Sequence, residues 1–527
     1  METHDVVIIG SGHNALITAA YLTRAGWSVL VLEQHDRPGG LVRTEELTLP
    51  GFKHDMYAAA HPLFVTGPAY ADLGPDLEQR GLHYINTDVP TGISFADGRT
   101  AVLLRSIEDN IAEAERLAPG DGSVFAEMLK SFKPFVDDVF TLFSMDLTSH
   151  EAQTIISRLM RHEDTVMSTT FAQMLFDSAR TTVSRFKSPV MQAMLAPWAT
   201  HLGRVPDDVG SGMWVILAIL AFMNGGMPIP VGGSEQLAQS LSRLITDHGG
   251  SIRTNTLAQR ILIKNGQAVG VRTATDEEFR ASKAVVASVN PDQLYGTLLA
   301  DTDIPLHLQK QAARFRYGRG CVQIHLALSE PPHWPDPRFE CIGQPHLTNG
   351  LDDCTLAIAQ GIAGLLPTEP TFTVDCASSL DPSRAPEGQA VMRVQLLEIP
   401  CRPRGDAAGL INVGDGAWKT DLTEHFTDRA LAIVGKHIPN IPDAILGYHV
   451  ITPNTLAHFS PNHGPGDPYS GAHDFAQSYL LRPLPGQPCH RTVISNVYML
   501  GAATWPGHGV NGGSGYIVAQ QLLHQYA

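Results

Sequence analysis

Residues 5–40 read DVVIIGSGHNALITAAYLTRAGWSVLVLEQHDRPGG. Residues 5–9 are a short apolar run, the pattern of a strand buried on both faces. It enters Gly10-Ser11-Gly12-His13-Asn14-Ala15, a G-x-G-x-x-A turn. Residues 15–25 predict a helix with small side chains on its packing face, stopped by Gly26. Residues 28–32 predict a second apolar strand, with Glu33 at its end. Each part has a physical job. Gly10 permits the tight turn, Gly12 lets a pyrophosphate approach the backbone, and Ala15 keeps the helix close to the strand. The helix N-terminus, from His13 and Asn14 onward, offers unpaired N–H groups and the positive end of a dipole. Glu33 stands where a carboxylate accepts hydrogen bonds from an adenosine ribose, and it would repel a 2′-phosphate there. Strand, turn, helix, strand and acid fall in register, so the stretch predicts dinucleotide binding.

The other end of the chain carries a second such unit. Residues 496–525 read NVYMLGAATWPGHGVNGGSGYIVAQQLLHQ. Residues 497–500 predict a buried strand, and Gly501-Ala502 turns into a glycine-rich loop. Gly512-Gly513-Ser514-Gly515 then leads a helix to about residue 525. Between the two ends, Gly232-Gly233-Ser234 predicts a helix start with Ser234 as N-cap. Residues 251–254 and 258–264 predict strands, Asn265-Gly266 a hairpin turn with 268–273 as its return, and 284–288 a further apolar strand.

Bulk properties narrow the class. A chain of 527 residues exceeds a single core, so two intertwined domains are expected. A formal net charge of −16 argues against nucleic-acid binding and against broad attachment to anionic lipid. Six scattered cysteines form no C-x-x-C pair and suit reduced thiols in a cytoplasm. No signal peptide is expected ahead of the first strand. The longest apolar run, residues 213–223, falls short of the ~20 residues that span a bilayer and predicts a buried helix or strand. Peripheral membrane contact and self-association stay open at this point, and no metal-ligand pattern is present.

Residues 101–224 predict helices, with 107–117 and 123–143 the clearest by their three- and four-residue spacing. Phe132, Phe135, Phe140 and Phe143 form a stripe that suits core or the wall of an apolar cavity. Met191, Met194, Trp198, Met213, Trp214, Phe222 and Met223 would suit a greasy, elongated ligand. Residues 51–55 predict a strand entering the cofactor region. Ala58-Ala59-Ala60 then lead to His61, where small side chains would let a ring system approach. Residues 301–450 predict strands at 322–328 and 391–397 and a helix near 422–436, with a sheet flooring the substrate cavity.

Gly39-Gly40 followed by Arg43 resembles the R-x-G-G-R-type segment of flavoproteins, which lies along the FAD pyrophosphate. Together with both chain ends and the Gly232–Ser234 block, it resembles the phytoene desaturase-like FAD-dependent oxidoreductases. That family includes carotenoid desaturases, the desaturase-type β-carotene ketolase, carotenoid isomerases and the pyridine nucleotide-disulfide oxidoreductase domain protein 2 group. The resemblance implies an α/β chain with a discontinuous Rossmann-like FAD-binding domain and an inserted α+β substrate domain, the amine oxidase/phytoene desaturase-like architecture. It places residues 1–100, 225–300 and 450–527 in the FAD-binding domain and 101–224 and 301–449 in the substrate-binding domain. Leu257 and Ala258 are expected against the adenine, and the helix after Gly513 is expected to aim its N-terminus at the flavin. Where relatives end in T-H-P-G-G-G, this chain has Thr504-Trp505-Pro506-Gly507-His508-Gly509. His508 and Trp505 from this ending, and His61 after the small-residue run, are the candidates for polarising or shaping the reactive end.

The implied chemistry is hydride removal from a C–H bond of an apolar, isoprenoid- or carotenoid-like substrate. It gives desaturation or further oxidation, with electrons passing to oxygen, a quinone or another carrier. Flavin amine oxidation, redox-neutral isomerisation and a non-catalytic regulatory or scaffolding flavoprotein are the competing readings.

Overall fold

In the computed structural model, which describes residues 2–161 and 165–527, two seven-stranded sheets organise the chain. The first sheet runs Ala258–Lys264, Gln267–Thr273, Glu278–Ala287, Thr3–Ile9, Val29–Leu32, Ser251–Arg253, with Val497–Met499 also paired to Glu278–Ala287. Thr3–Ile9 lies parallel to both of its neighbours. Its inner residues Val6, Val7 and Ile8 are fully buried, as a continuous apolar run between two covered faces requires. Helix His13–Arg24 returns over one face. There it packs with Glu235–Asp247 and the C-terminal helix Gly513–Gln525 through Leu16, Leu241, Val518 and Leu522. Leu294, Leu298, Leu308 and Phe315 cover the opposite face.

The two ends of the chain meet at this sheet. Thr18 Oγ1 donates to the Gly515 carbonyl at 2.8 Å, and the Gly515 amide donates to Asn14 Oδ1 at 3.0 Å. The hairpin at Asn265-Gly266 forms as expected, with both residues at positive φ (53° and 75°), the conformation that a two-residue primed turn demands.

The second sheet runs Ile445–Ile451, Gly320–Leu328, Ala390–Ile399, Phe372–Asp375, His346–Leu347, Thr91–Ser94, Thr100–Leu103. Its two long central strands alternate. Val322, Ile324 and Leu326, with Met392, Val394 and Leu396, pack against Phe426 and Val434 of helix Thr420–His437. The residues between them face the other way, toward the first sheet. Helices from 107 to 225 build a separate core around Phe125, Phe132, Met191, Ile216 and Phe222.

Four local expectations change. The 123–143 segment is Asp121–Phe132, a 3₁₀ turn Lys133–Phe135 and Val136–Leu142, because Pro134 has no N–H to continue the ladder. Ser234 stands at a helix start but does not cap it. Its Oγ has no partner among the described residues, while Asp55 Oδ1 accepts from the Ser234 amide at 2.7 Å and Thr44 Oγ1 from the Glu235 amide at 3.2 Å. Only His54–Asp55 of the 51–55 segment is extended, paired with Thr44–Glu45. The hairpin Thr91–Ser94/Thr100–Leu103 straddles the expected boundary at residue 100 and belongs to the second sheet. The 213–223 run is the buried helix Gly212–Gly225. No helix among the described residues is long and apolar enough to cross a membrane.

Candidate active site

A cavity of about 420 Å³ lies between the carboxyl ends of the first sheet's parallel strands and the inward face of the second sheet. Such a crevice is where open α/β sheets bind ligands. At the first sheet it is lined by Gly10, Gly12, His13, Asn14, Glu33, Gly40, Leu257 and Ala258. Gly12 bridges Gly39, and a Cβ on Gly40 would stand 3.2 Å from Gly12 Cα, so these two glycine segments pack backbone to backbone. Nothing described lies nearer than 3.9 Å to a Cβ built on Gly12, so this position opens onto the cavity. Helix His13–Arg24 has no side-chain cap at Gly12, which leaves its first amides for a ligand.

Glu33 is 5% exposed and held rigidly. Its Oε2 accepts from the Ser11 amide at 3.0 Å and from Ser11 Oγ at 2.5 Å, and its Oε1 from the His35 amide at 2.8 Å. A carboxylate has about four acceptor positions, so it keeps room for a ligand hydroxyl. Sequence reasoning missed Ser11, although its place inside the glycine turn is the signal that could have found it.

The remaining nominated residues divide. Gly501, Ala502 and His508 line the cavity. Ala15 and Gly39 lie behind its wall. Ala15 is fully buried under the sheet, and Gly39 at φ +125° leaves no room for a Cβ beside the Val42 carbonyl (2.7 Å) and Ala238 (2.9 Å). Arg43 does not line the cavity. Its guanidinium sits 5.3 Å over the Phe459 ring and 3.5 Å from Asp36. Gly512 and Gly513 are packing positions against Ile17 and Pro506. Two of the first amides of their helix are taken by protein oxygens: Gly513 donates to Asn511 Oδ1 and Gly515 to Asn14 Oδ1.

Two of the three reactive-end candidates are also elsewhere. Trp505 is 4% exposed, stacks on Phe143 with ring centroids 5.1 Å apart and donates to the Leu142 carbonyl at 2.9 Å. His61 is fully buried, with Nδ1 2.9 Å from the Tyr84 hydroxyl, and burial pushes its pKa down to about 3. The small-residue reading of its neighbours holds in position: Ala58, Ala59 and Ala60 line the cavity and His61 does not.

His508 is fixed at both nitrogens. Nε2 lies 2.9 Å from the His201 carbonyl and Nδ1 3.0 Å from His473 Nε2. Burial is the main cause that pushes its pKa down to about 3. His473 in turn lies 3.0 Å from Arg482 Nη2, and Arg482 also donates to the Ala502 carbonyl at 2.6 Å. A buried cation therefore backs the cavity at Ala502, and burial lowers even this guanidinium to about 9. His473 and Arg482 carry no local motif, and sequence reading assigned a role to neither.

The whole-chain pattern agrees with this geometry. The sequence profile of the family described as flavin containing amine oxidoreductase matches residues 16–523. The chain belongs to this family. One curated relative, a limonene dehydrogenase subunit from Castellaniella defragrans, is 27% identical over 98% of this chain and 94% of its own length. The neurosporene-forming phytoene desaturase of Cereibacter sphaeroides is 26% identical over 98% and 94%. Cyclohexylamine oxidase from Brevibacterium oxydans superposes with a TM-score of 0.60 over 99% of each chain at 15% identity, which establishes the shared fold.

Flavin-containing amine oxidoreductases carry FAD, and the residues present fit it. Gly12 opens a side-chain-sized gap at an uncapped helix start, and a pre-ordered carboxylate waits at the end of the second strand. Gly10, Gly12, His13, Asn14 and Gly40 would hold the pyrophosphate, Glu33 the ribose, Leu257 and Ala258 the adenine, and Gly501, Ala502 and His508 the ring end. The protein is an FAD-dependent oxidoreductase with the desaturase-like architecture that its motifs implied.

Proposed function

We propose that this enzyme removes a hydride from a C–H bond of a mainly apolar organic molecule, with a proton lost from the substrate to solvent, and that oxygen or a quinone takes the electrons onward. Bound flavin supplies the hydride acceptor. The chain's residues supply position and electrostatics. The carrying observation is that the titratable side chains at the far end of the cavity are engaged by the protein itself. His201 is 2.5 Å from Thr373 Oγ1, Tyr469 donates to the Thr200 carbonyl at 3.1 Å, and His508 is held at both nitrogens. Rate enhancement at such a site comes from holding a C–H bond against the flavin and excluding water. Arg482 behind Ala502, beside a His473 ring that burial keeps neutral, would put positive charge where a reduced, electron-rich ring gains from it.

Amine oxidation fits less well. A carboxylate in reach would favour an ammonium-bearing substrate. Among the described residues the acid lining the cavity is Glu33, which is at the nucleotide end and already holds three donors.

The test is spectroscopic. Purified protein is expected to show flavin bands near ~375 and ~450 nm that pass into the supernatant on acid precipitation. Anaerobic addition of substrate bleaches the ~450 nm band and yields a product lacking two hydrogen atoms. A product of unchanged mass points to isomerisation, and an aldehyde with released ammonia to amine oxidation. Either result sinks the proposal.

A further inference from the structure

The far wall of the cavity is not greasy. The Phe- and Met-rich helices from 107 to 225 pack on one another, and among their described residues His201 alone reaches the cavity. The wall opposite the glycine turn is instead the inward face of the two central strands of the second sheet. Gln323 and Gln395 are direct cross-strand partners on that face, and both line the cavity. Side chains so paired stand about 5 Å apart at Cβ, close enough to grip one atom between them.

These amides are poorly served by the protein. Gln323 is 2% exposed, and its Oε1 has no hydrogen-bond partner among the described residues. Gln395 Nε2 reaches the Cys321 sulfur at 3.7 Å, a weak acceptor. The neighbouring positions in the alternation, Val391 and Leu397, show that apolar side chains fit this face. A buried amide without a partner costs stability that Leu or Met would not. The adjacent charge is already neutralised: Arg393 Nε and Nη2 donate to Asp375 Oδ2 at 2.8 and 2.6 Å, and Nη1 to the Tyr57 carbonyl. The wall therefore offers a donor and an acceptor with no net charge.

We infer that the substrate is a neutral, mainly hydrocarbon molecule bearing one hydroxyl or carbonyl oxygen, and that Gln323 and Gln395 hold this oxygen. The inference rests on the oxidoreductase reading above and names its substrate class. Among the described residues of this wall, a carboxylate would find no unpaired cation and an ammonium no unpaired acid. A pure hydrocarbon would leave Gln323 Oε1 buried and unmet and Gln395 Nε2 with only a sulfur acceptor. The anchored oxygen would fix one end of the molecule and so select which C–H bond lies over the flavin.

The test uses the flavin-loaded protein and two ligands on one skeleton, limonene and its ketone carvone, followed by flavin difference absorbance without turnover. Carvone is expected to bind about tenfold or more tightly, the effect of one good hydrogen bond. Gln323→Leu should bring the two affinities to within about twofold and raise the melting temperature, since an unmet amide is removed. Gln395→Leu is the second variant should the first fold poorly. Equal affinities in the unaltered protein, an unchanged ratio in the variants, or no binding of either ligand overturns the inference. A protein that takes up no flavin is recognised before any ligand is added, and it removes the oxidoreductase reading together with this one.

Discussion

Gly12→Val is expected to abolish flavin uptake while leaving the melting temperature of the flavin-free protein unchanged. The backbone at Gly12 has φ −58° and ψ 158°, which any residue adopts, and a Cβ there meets nothing described closer than Ser288 Oγ at 3.9 Å. The fold has no need of glycine at this position. A ligand does, because Val would place two methyl groups where a pyrophosphate must approach the helix start. The expected loss in FAD affinity is at least roughly 100-fold, or about 2.7 kcal/mol. Gly39→Ala is the contrasting case. Its φ of +125° lies outside the range of L side chains, and its Cβ would stand 2.7 Å from the Val42 carbonyl. Roughly 3 kcal/mol of destabilisation is expected from strain and overlap together. Fluorescence titration with FAD and thermal melts of the flavin-free variants separate the two effects. A Gly12→Val protein that binds FAD normally would show that the cavity's glycine turn is not the phosphate site.

The parts of this molecule legible in sequence are those in which local pattern and chemistry coincide. The first strand, its turn and Glu33 are set by apolar run, glycine and acid within one continuous stretch, and the Asn265-Gly266 hairpin by a dipeptide. The wall facing them could not be read the same way. Gln323 and Gln395 lie 72 positions apart and become neighbours only through strand pairing. Their signal was present as alternation, since a strand reading VQIHLAL has polar residues at successive places on one face. That alternation marked a sheet with two different faces, and the polar one turned out to face the cavity. Trp505 and His61 misled for the complementary reason. Each lies within a few residues of cavity-lining positions, Ala502 and Ala60, yet its side chain points into the core. Sequence proximity locates a loop but not the direction of a side chain that tertiary packing decides. The C-terminal helix illustrates a third limit. Its glycines were legible, but Asn511 and Asn14, which accept from its Gly513 and Gly515 amides, were not recognisable as caps until the two chain ends met.

Acid is expected to unfold the protein above the pH at which ordinary carboxylates protonate; Glu398, which burial raises to about 7, takes up its proton earlier and offsets part of the loss. Five histidines, His54, His61, His346, His463 and His490, are no more than 4% exposed. Burial is the largest cause that lowers each of them, to about 4, 3, 3, 4 and 4 in that order. Several have no partner for a second proton: His61 Nε2, both nitrogens of His346 and His490 Nδ1 meet no hydrogen-bonding atom among the described residues. The sign follows from linkage. Between an unfolded value near 6.5 and a folded value near 3 to 4, the unfolded chain binds more protons, so stability falls as pH falls through that window. It is fully present above pH ~6.5. One unit below, each histidine costs about 1.4 kcal/mol, and five together about 7 kcal/mol, comparable to the whole net stability of a typical domain. Urea midpoints of the flavin-free protein at pH 7.5, 6.5 and 5.5 should therefore fall steeply over the last step. Single replacement His346→Phe, which substitutes one flat ring for another beside Trp198 and His201, should flatten the slope by about one proton and leave the pH 7.5 midpoint nearly unchanged. A midpoint that stays level down to pH 5.5 would mean that these rings reach water or a carboxylate in solution, and the buried-histidine account of the core would be wrong.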